Sequence, residues 1–491
     1  MTKRSIVSLL LALMMLLCIT PVLAEEPVTI HVYGLGATIP ETDPVLPELG
    51  NRLGLKIVVD TAAGGADAAT GLMTRMMDND IPDVFRVGDL NNLAVYHESD
   101  AVLDLTPYLD QIPSVVAAFP ETDWARLTID GGIYGIPRRG EVNYMDYFIR
   151  KDWMEKLGAK YPTTFDELYD LCVQVRDADL DGNGVNDTYP ISGSKLESRA
   201  GTLNMFFTAY GVTQPNTLMI KDNQAVWACT DPAYKLALTE IRRFMEAGLI
   251  DPEFVSMNED TLREKMSMGK VFLANGGWCA FAKQAQQDVL KAVDANADWG
   301  HIESNIVTEL GISGATHTAA NFSNVYSFSP DLADDPEKLA AALSIFEYTI
   351  SGEGDELLCY GLENVHYTKE NGVITKLPAM NELGYGWAIQ FTGRNDMAYC
   401  MTKFAECADE IEHAANEVPI LTHYEALVSQ PEGVNMADLK AYESEQLIAF
   451  IYGTRPMEEY DNFVQELYNL YNLGAYLDAA TETLTELGYI K

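Results

Sequence analysis

Between residues 28 and 87 the chain alternates two kinds of pattern, and this alternation narrows its fold more than any other feature. Val28-Thr-Ile-His-Val-Tyr33 is β-branched and alternating, which predicts a strand; Leu55 to Val59 predicts a second and Val84 to Val87 a third. Helical stretches separate them: Pro47 to Leu53, stopped by Gly54, and Ala66 to Asp78, ended by the turn Asp80-Ile-Pro82-Asp83. Strand, helix and strand in succession make parallel neighbours joined by crossovers, so the expected fold class is α/β.

Downstream the helical share grows. Asp130-Gly-Gly-Ile-Tyr134-Gly-Ile-Pro137 reads as a turn entering a short strand, and Tyr144 to Phe148 as an extended aromatic segment. Lys151 to Leu157 predicts a helix closed by Gly158, and Thr163-Thr164 ahead of Asp166 and Glu167 marks the start of another running to Arg176. Apolar residues recur at three-to-four spacing from Asp231 to Gly248 and from Asp335 to Ser351. Met436 to Leu487 is helical almost throughout, with breaks near Gly453-Thr-Arg-Pro456 and Gly474. No fixed-period repeat or low-complexity linker marks a boundary, which suggests lobes built from non-contiguous segments.

The first residues set the compartment. Lys3 and Arg4 precede an apolar run from Ile6 to about Ile19, then Pro21 and Val22-Leu23-Ala24 supply a small-residue cleavage site. That order predicts a secretory signal peptide over residues 1–24, cleaved after Ala24. A membrane-spanning helix is the weaker reading, because the run is short for a span and lacks a basic flank on its far side. Cys18 follows Leu17 rather than Gly, Ala or Ser, so it reads as part of the apolar run and not as a lipid-attachment site.

Loss of residues 1–24 takes away two basic residues and no acids, moving the formal charge from −40 to −42. So acidic a surface excludes nucleic acid as a partner and argues against docking on anionic lipid. With 47% hydrophobic residues the chain is globular rather than a disordered acidic tail. The remaining cysteines (172, 229, 279, 359, 400 and 407) show no C-x-x-C and no zinc-like spacing, and read as buried thiols. Whether Cys400 and Cys407 form a bridge is left open by the sequence.

The strongest local motif lies in 177–190. With Asp179 as position 1 of a calcium loop, Asp181 is position 3, Asn183 position 5, Gly184 the turn glycine, Val185 the backbone carbonyl at 7, and Asp187 position 9. Oxygen donors at every second residue let one tight loop wrap a hard cation, so a structural Ca²⁺ is expected. Pro190 stands where an EF-hand has its last glutamate, and an ordinary Asp/Gly/Asn turn is the alternative.

Catalytic signatures are missing. There is no G-x-S-x-G, H-E-x-x-H, phosphate-binding glycine loop or ligand-spaced histidine pair, so a non-enzyme is expected. Aromatics in glycine-rich settings are more informative: Tyr134 between Gly132 and Gly135, Trp278 after Asn275-Gly276-Gly277, and Trp387 in Gly384-Tyr385-Gly-Trp387. Flat rings where the backbone bends suit the C–H faces of sugars. Trp153, inside a periodic helix, reads as core. Arg138, Arg139 and Arg394 occupy similar loops, where a guanidinium can clamp a hydroxyl-rich or carboxylate ligand; a solvated surface pair is the alternative for Arg138-Arg139.

Several blocks together resemble the extracellular solute-binding proteins of bacterial ABC importers, family 1, the lipoprotein-A-like branch that includes sugar and oligosaccharide binders. They are Met73-Thr-Arg-Met-Met-Asp-Asn-Asp80-Ile-Pro82-Asp83-Val84, Asp130 to Pro137, and Ile149-Arg-Lys-Asp-Trp153-Met-Glu-Lys-Leu157-Gly158 with Pro162-Thr-Thr164. The Asp179–Asp187 loop is similar to that family's calcium loop, and Gly361-Leu-Glu-Asn-Val-His-Tyr367 with Asn371-Gly372 to one of its turns. The resemblance implies a two-lobed, Venus-flytrap α/β fold of the type II periplasmic-binding-protein class. Lobe one would hold residues 27–140 and 300–355, lobe two 141–299 and 356–491. It further implies a monomer that catches an oligosaccharide by hinge closure and hands it to an ABC transporter permease, with Tyr134, Arg138, Tyr144, Trp278, Trp387 and Arg394 as candidate ligand contacts. A peptide or uronate ligand, or a secreted carbohydrate-active enzyme, are the competing readings.

Overall fold

The computed structural model describes residues 26–34, 39–60, 66–88, 90–139, 142–185, 187–197, 201, 203–319, 325–383, 391 and 394–491; the expected signal peptide lies outside them. The strands of the two main sheets are β1 (Val28–Tyr33), β2 (Leu55–Asp60), β3 (Val84–Arg86), β4 (Met145–Arg150), β5 (Tyr189–Ile191), β6 (Val271–Gly277), β7 (Trp299–His301) and β8 (Tyr326–Phe328).

The first sheet has the order β8-β3-β1-β2. β1 pairs in parallel with β2 and β3, as the alternation predicts, while β8 returns from far along the chain to add an antiparallel edge. Pleating sends Ile30, Val32 and Val84 to one face and Tyr33 and Phe85 to the other. The second sheet, β7-β4-β6-β5, is mixed: β4 runs antiparallel to β6 and β7, and β5 is parallel to β6. β4 and β6 are buried along their whole length, β4 with the charged Asp146 and Arg150 among its buried residues.

Local chemistry sets the helix ends. The helix Val45–Leu53 stops at Gly54 and Lys151–Leu157 at Gly158, both in the left-handed region (φ 68° and 60°) that a side chain resists. The Thr164 hydroxyl accepts from Glu167 N (3.2 Å), while the Glu167 carboxylate accepts from Thr163 N, starting Phe165–Asp177. The C-terminal region forms three helices, Met436–Tyr452, Tyr460–Tyr471 and Leu473–Glu486. The second break falls at Asn472 (φ 54°) rather than at Gly474, because asparagine also tolerates the left-handed conformation.

One apolar cluster packs β1 and β8 against the helices Pro336–Thr349 and Gly352–Tyr360, and continues to Met380, Leu383 and Phe391. A larger one runs from the other face of the first sheet into the second lobe and its C-terminal helices, and takes in Ile302, Ile306 and the fully buried Trp153. A third packs β6 against Trp278, Phe281, Cys407 and Ile411. Beside these lobes, 315–318 pairs in parallel with 420–423. The result is the expected two-lobed α/β architecture of interleaved segments. None of the six cysteines among the described residues is in a disulfide, Cys400 and Cys407 included. No described helix is long and apolar enough to cross a membrane.

Candidate functional site

β6 ends in Asn275-Gly276-Gly277, and both glycines answer to close ring contacts. A Cβ on Gly276 would meet the Phe281 ring at 1.9 Å, and one on Gly277 the Tyr144 ring at 2.9 Å. The bare backbone lets Tyr144, at the entry to β4, and Trp278, just past β6, come together, with Trp278 N donating to Tyr144 O (3.0 Å). The helix Ala408–Asn416 is pinned over this edge. The Asn143 amide donates to Ala414 O (2.6 Å), and His413 Nδ1 lies 2.7 Å from the buried Asp146 carboxylate, which holds the imidazole pKa above its ordinary value.

The walls so positioned enclose a cavity of about 360 Å³. Tyr144, Trp278, Tyr399 and Phe404 give it aromatic surface, and Lys283, Arg394 and Asp396 its charges. Trp278 and Phe404 meet edge to face at 5.4 Å. Lys283 Nζ lies over both, 4.4 Å from the Phe404 centroid and 5.6 Å from that of Trp278. The Arg394 guanidinium carbon sits 3.5 Å from the Tyr399 ring centroid, and its Nε donates to Asp396 (3.0 Å). Behind the rings, the buried Lys403 donates to Leu383 O.

Three of the residues expected from sequence therefore converge here: Tyr144, Trp278 and Arg394. Tyr134 lies elsewhere, its ring 4.4 Å from His97 and its carbonyl accepting from Ser327 Oγ, and Arg138 is buried in the first lobe near Tyr326. Arg139 is bound to Asp355 (2.7 Å), a structural pairing. Trp387 falls outside the described residues. Sequence reasoning missed Lys283, Asp396, Tyr399 and Phe404. The last three share one short segment with Arg394, and a cluster of aromatics beside that loop arginine was the available signal.

In the second-lobe loop, Asp179 accepts from the backbone N–H of Asn183 (3.0 Å) and Gly184 (2.8 Å), which wraps the chain around its carboxylate. Asn183 Nδ2 donates to both Asp181 (2.7 Å) and Asp187 (3.0 Å), and Val185 O accepts from Asp187 N (3.1 Å). Lys270 Nζ bridges Asp181 (3.1 Å) and Asp187 (2.6 Å). Burial works against this ammonium, but the two carboxylates outweigh it and raise its pKa. The hard-oxygen donor set suits calcium, while a protein cation already spans two of its carboxylates. Among the described residues no group of three or more His, Cys, Asp or Glu is arranged to hold a metal.

The chain is 25% identical over 292 residues to lipoprotein LipO of Bacillus subtilis (strain 168), covering 58% of this chain and 56% of that protein. It is 22% identical over 296 residues to the polygalacturonan/rhamnogalacturonan-binding protein YtcQ of the same organism, covering 59% and 56%. The match thus spans little more than half the length of either relative. An EF-hand mutant of the Streptococcus pneumoniae ABC-transporter substrate-binding protein FusA, solved with fructo-nystose, superposes with a TM-score of 0.67 at 16% identity, covering 95% of this chain and 100% of that one. Residues 40–307, more than half of the sequence, match a single family, and the chain belongs to it: the bacterial extracellular solute-binding proteins.

Proposed function

We propose that this protein is an extracytoplasmic binding protein that captures an oligosaccharide and delivers it to an ABC importer. The observation that carries this reading is the pocket itself, in which Tyr144, Trp278, Tyr399 and Phe404 contribute aromatic surface, with Lys283 over the Phe404 and Trp278 rings and Arg394 over Tyr399. Such a mix suits sugars, whose C–H faces stack on rings while hydroxyls take hydrogen bonds from the rim. The relatives agree in kind: one is named for binding polygalacturonan and rhamnogalacturonan, and the superposed structure holds fructo-nystose.

The charge inventory of the pocket supports a binding role. Glycoside hydrolysis needs two carboxyl groups facing across the scissile bond. Among the described residues lining the pocket, Asp396 is the one carboxylate, and Arg394 holds it. The mature chain begins after Ala24, acts as a monomer, and keeps its second-lobe loop for calcium. There the side-chain oxygens of Asp179, Asp181, Asn183 and Asp187 with the Val185 carbonyl hold the ion, and Lys270 gives up its bridge. Calcium would supply a charge clamp on the loop and no chemistry in the pocket.

Isothermal titration of the purified chain with a panel of tri- to pentasaccharides tests the main reading. At least one saccharide is expected to bind, with Trp278→Ala weakening it about tenfold or more, since a lost ring stack and its apolar contact amount to ~1.4 kcal/mol or above. Release of shorter products from the panel by the protein alone would instead make it an enzyme.

A further inference from the structure

The pocket is electropositive in a protein that is otherwise strongly acidic. Its walls bring together Lys283 and Arg394, with Lys403 behind the Tyr399 and Phe404 rings at 5.5 and 5.7 Å from their centroids. Against these cations the lining offers one carboxylate, Asp396, already engaged by Arg394. Among the described residues no carboxylate lies within ion-pair distance of the Lys283 ammonium, which rests on the Phe404 and Trp278 rings instead. With 73 acidic side chains in the sequence against 33 basic ones, two cations beside a single carboxylate at a cavity wall reverse the balance of the chain as a whole.

Chemistry gives that arrangement a direction. A neutral sugar asks for ring faces and hydrogen bonds and gains little from a cluster of cations, whose mutual repulsion the fold must carry. The Lys403 pKa, lowered to about 8 first by burial and then by Arg394, Lys283 and Lys376, registers that repulsion. An anion relieves it, and a guanidinium stacked on Tyr399 beside an ammonium on Trp278 offers two separate donors to one charged group.

We propose that the ligand of this pocket is an anionic oligosaccharide, whose ring stacks on Trp278 while a carboxylate or sulfate ester on it faces Lys283 and Arg394. This rests on the saccharide reading above and names the ligand's charge. Attraction of such a ligand toward an acidic protein requires a local positive field, and the pocket supplies it where contact is made.

The test titrates the mature protein with trigalacturonate, with a sulfated trisaccharide and with a neutral trisaccharide, at 20 and 300 mM salt. At least one anionic ligand is expected to bind ten times or more tighter than the neutral one, with an advantage that shrinks at high salt. Lys283→Met keeps an apolar stem over the rings and removes the charge; it should cut the anionic-over-neutral preference about tenfold, and Lys283→Arg should restore it. The two anionic arms separate a carboxylate from a sulfate ester. If the neutral trisaccharide binds as well as both anionic ones, or Lys283→Met leaves the preference intact, the proposal is overturned while the saccharide reading stands. If no saccharide binds, both fall.

Discussion

Lys403 carries a charge in a place that disfavours it. Its side chain is buried, its ammonium donates to Leu383 O, and Arg394, Lys283 and Lys376 face it, with the Cys400 thiol as a weak opposing influence. Its pKa of about 8 lies below the ordinary lysine value of about 10.4. Between those values the unfolded chain holds more protons than the folded one, so stability rises with pH across that window and the penalty is present in full below it. Lys403→Met is expected to flatten the rise, seen as a smaller gain in Tm from pH 7.5 to 10 than the parent shows; equal slopes would refute it. At this scale the sequence disclosed Trp278 and Arg394, because glycines and loop context marked them, and Tyr144, which opens an extended aromatic segment. It hid Lys283, Tyr399 and Lys403, which belong to helical or flanking segments where a charged or aromatic residue reads as ordinary surface or core. Only the fold turns those residues toward one cavity.

The strand–helix alternation of residues 28–87 and the capped helices of the second lobe were legible because each follows from local pattern and end chemistry. Legibility failed for elements whose partners are distant: β8 joining β3, and the parallel pairing of 315–318 with 420–423, are pairings between short segments that carry no mark of each other. The Asp-rich loop lies between these cases. Its donors were readable, but not Lys270, which arrives from the turn before β6 to bridge Asp181 and Asp187. That ammonium gives the loop two cations to choose between. Chelation of the calcium-loaded protein is expected to lower Tm by several degrees, and the drop should be larger in Lys270→Met, where no ammonium is left to screen the carboxylates. A Tm indifferent to chelator, with Asp181→Ala also silent, would show that the loop needs no metal.

For the molecule as a whole, the proposed function asks that ligand draw the two lobes together, since a ligand touching both favours the closed arrangement by the difference in its affinity for the two states. Small-angle scattering is expected to show a smaller radius of gyration with a saturating ligand than without. An unchanged profile alongside proven binding would mean that the lobes already rest closed. The helix Asp396–Lys403 touches both bodies. Tyr399 packs against the apolar cluster of β1 and β8, while Met397, Cys400 and Met401 pack against that of β6, and the same turns line the pocket. A rod with one shoulder in each body behaves as a rocker arm: what presses on its open side is felt as torque between the halves. Affinity and lobe angle are then two readings of a single mechanical coordinate, and a change hidden behind the rod can retune the grip on a ligand it never meets.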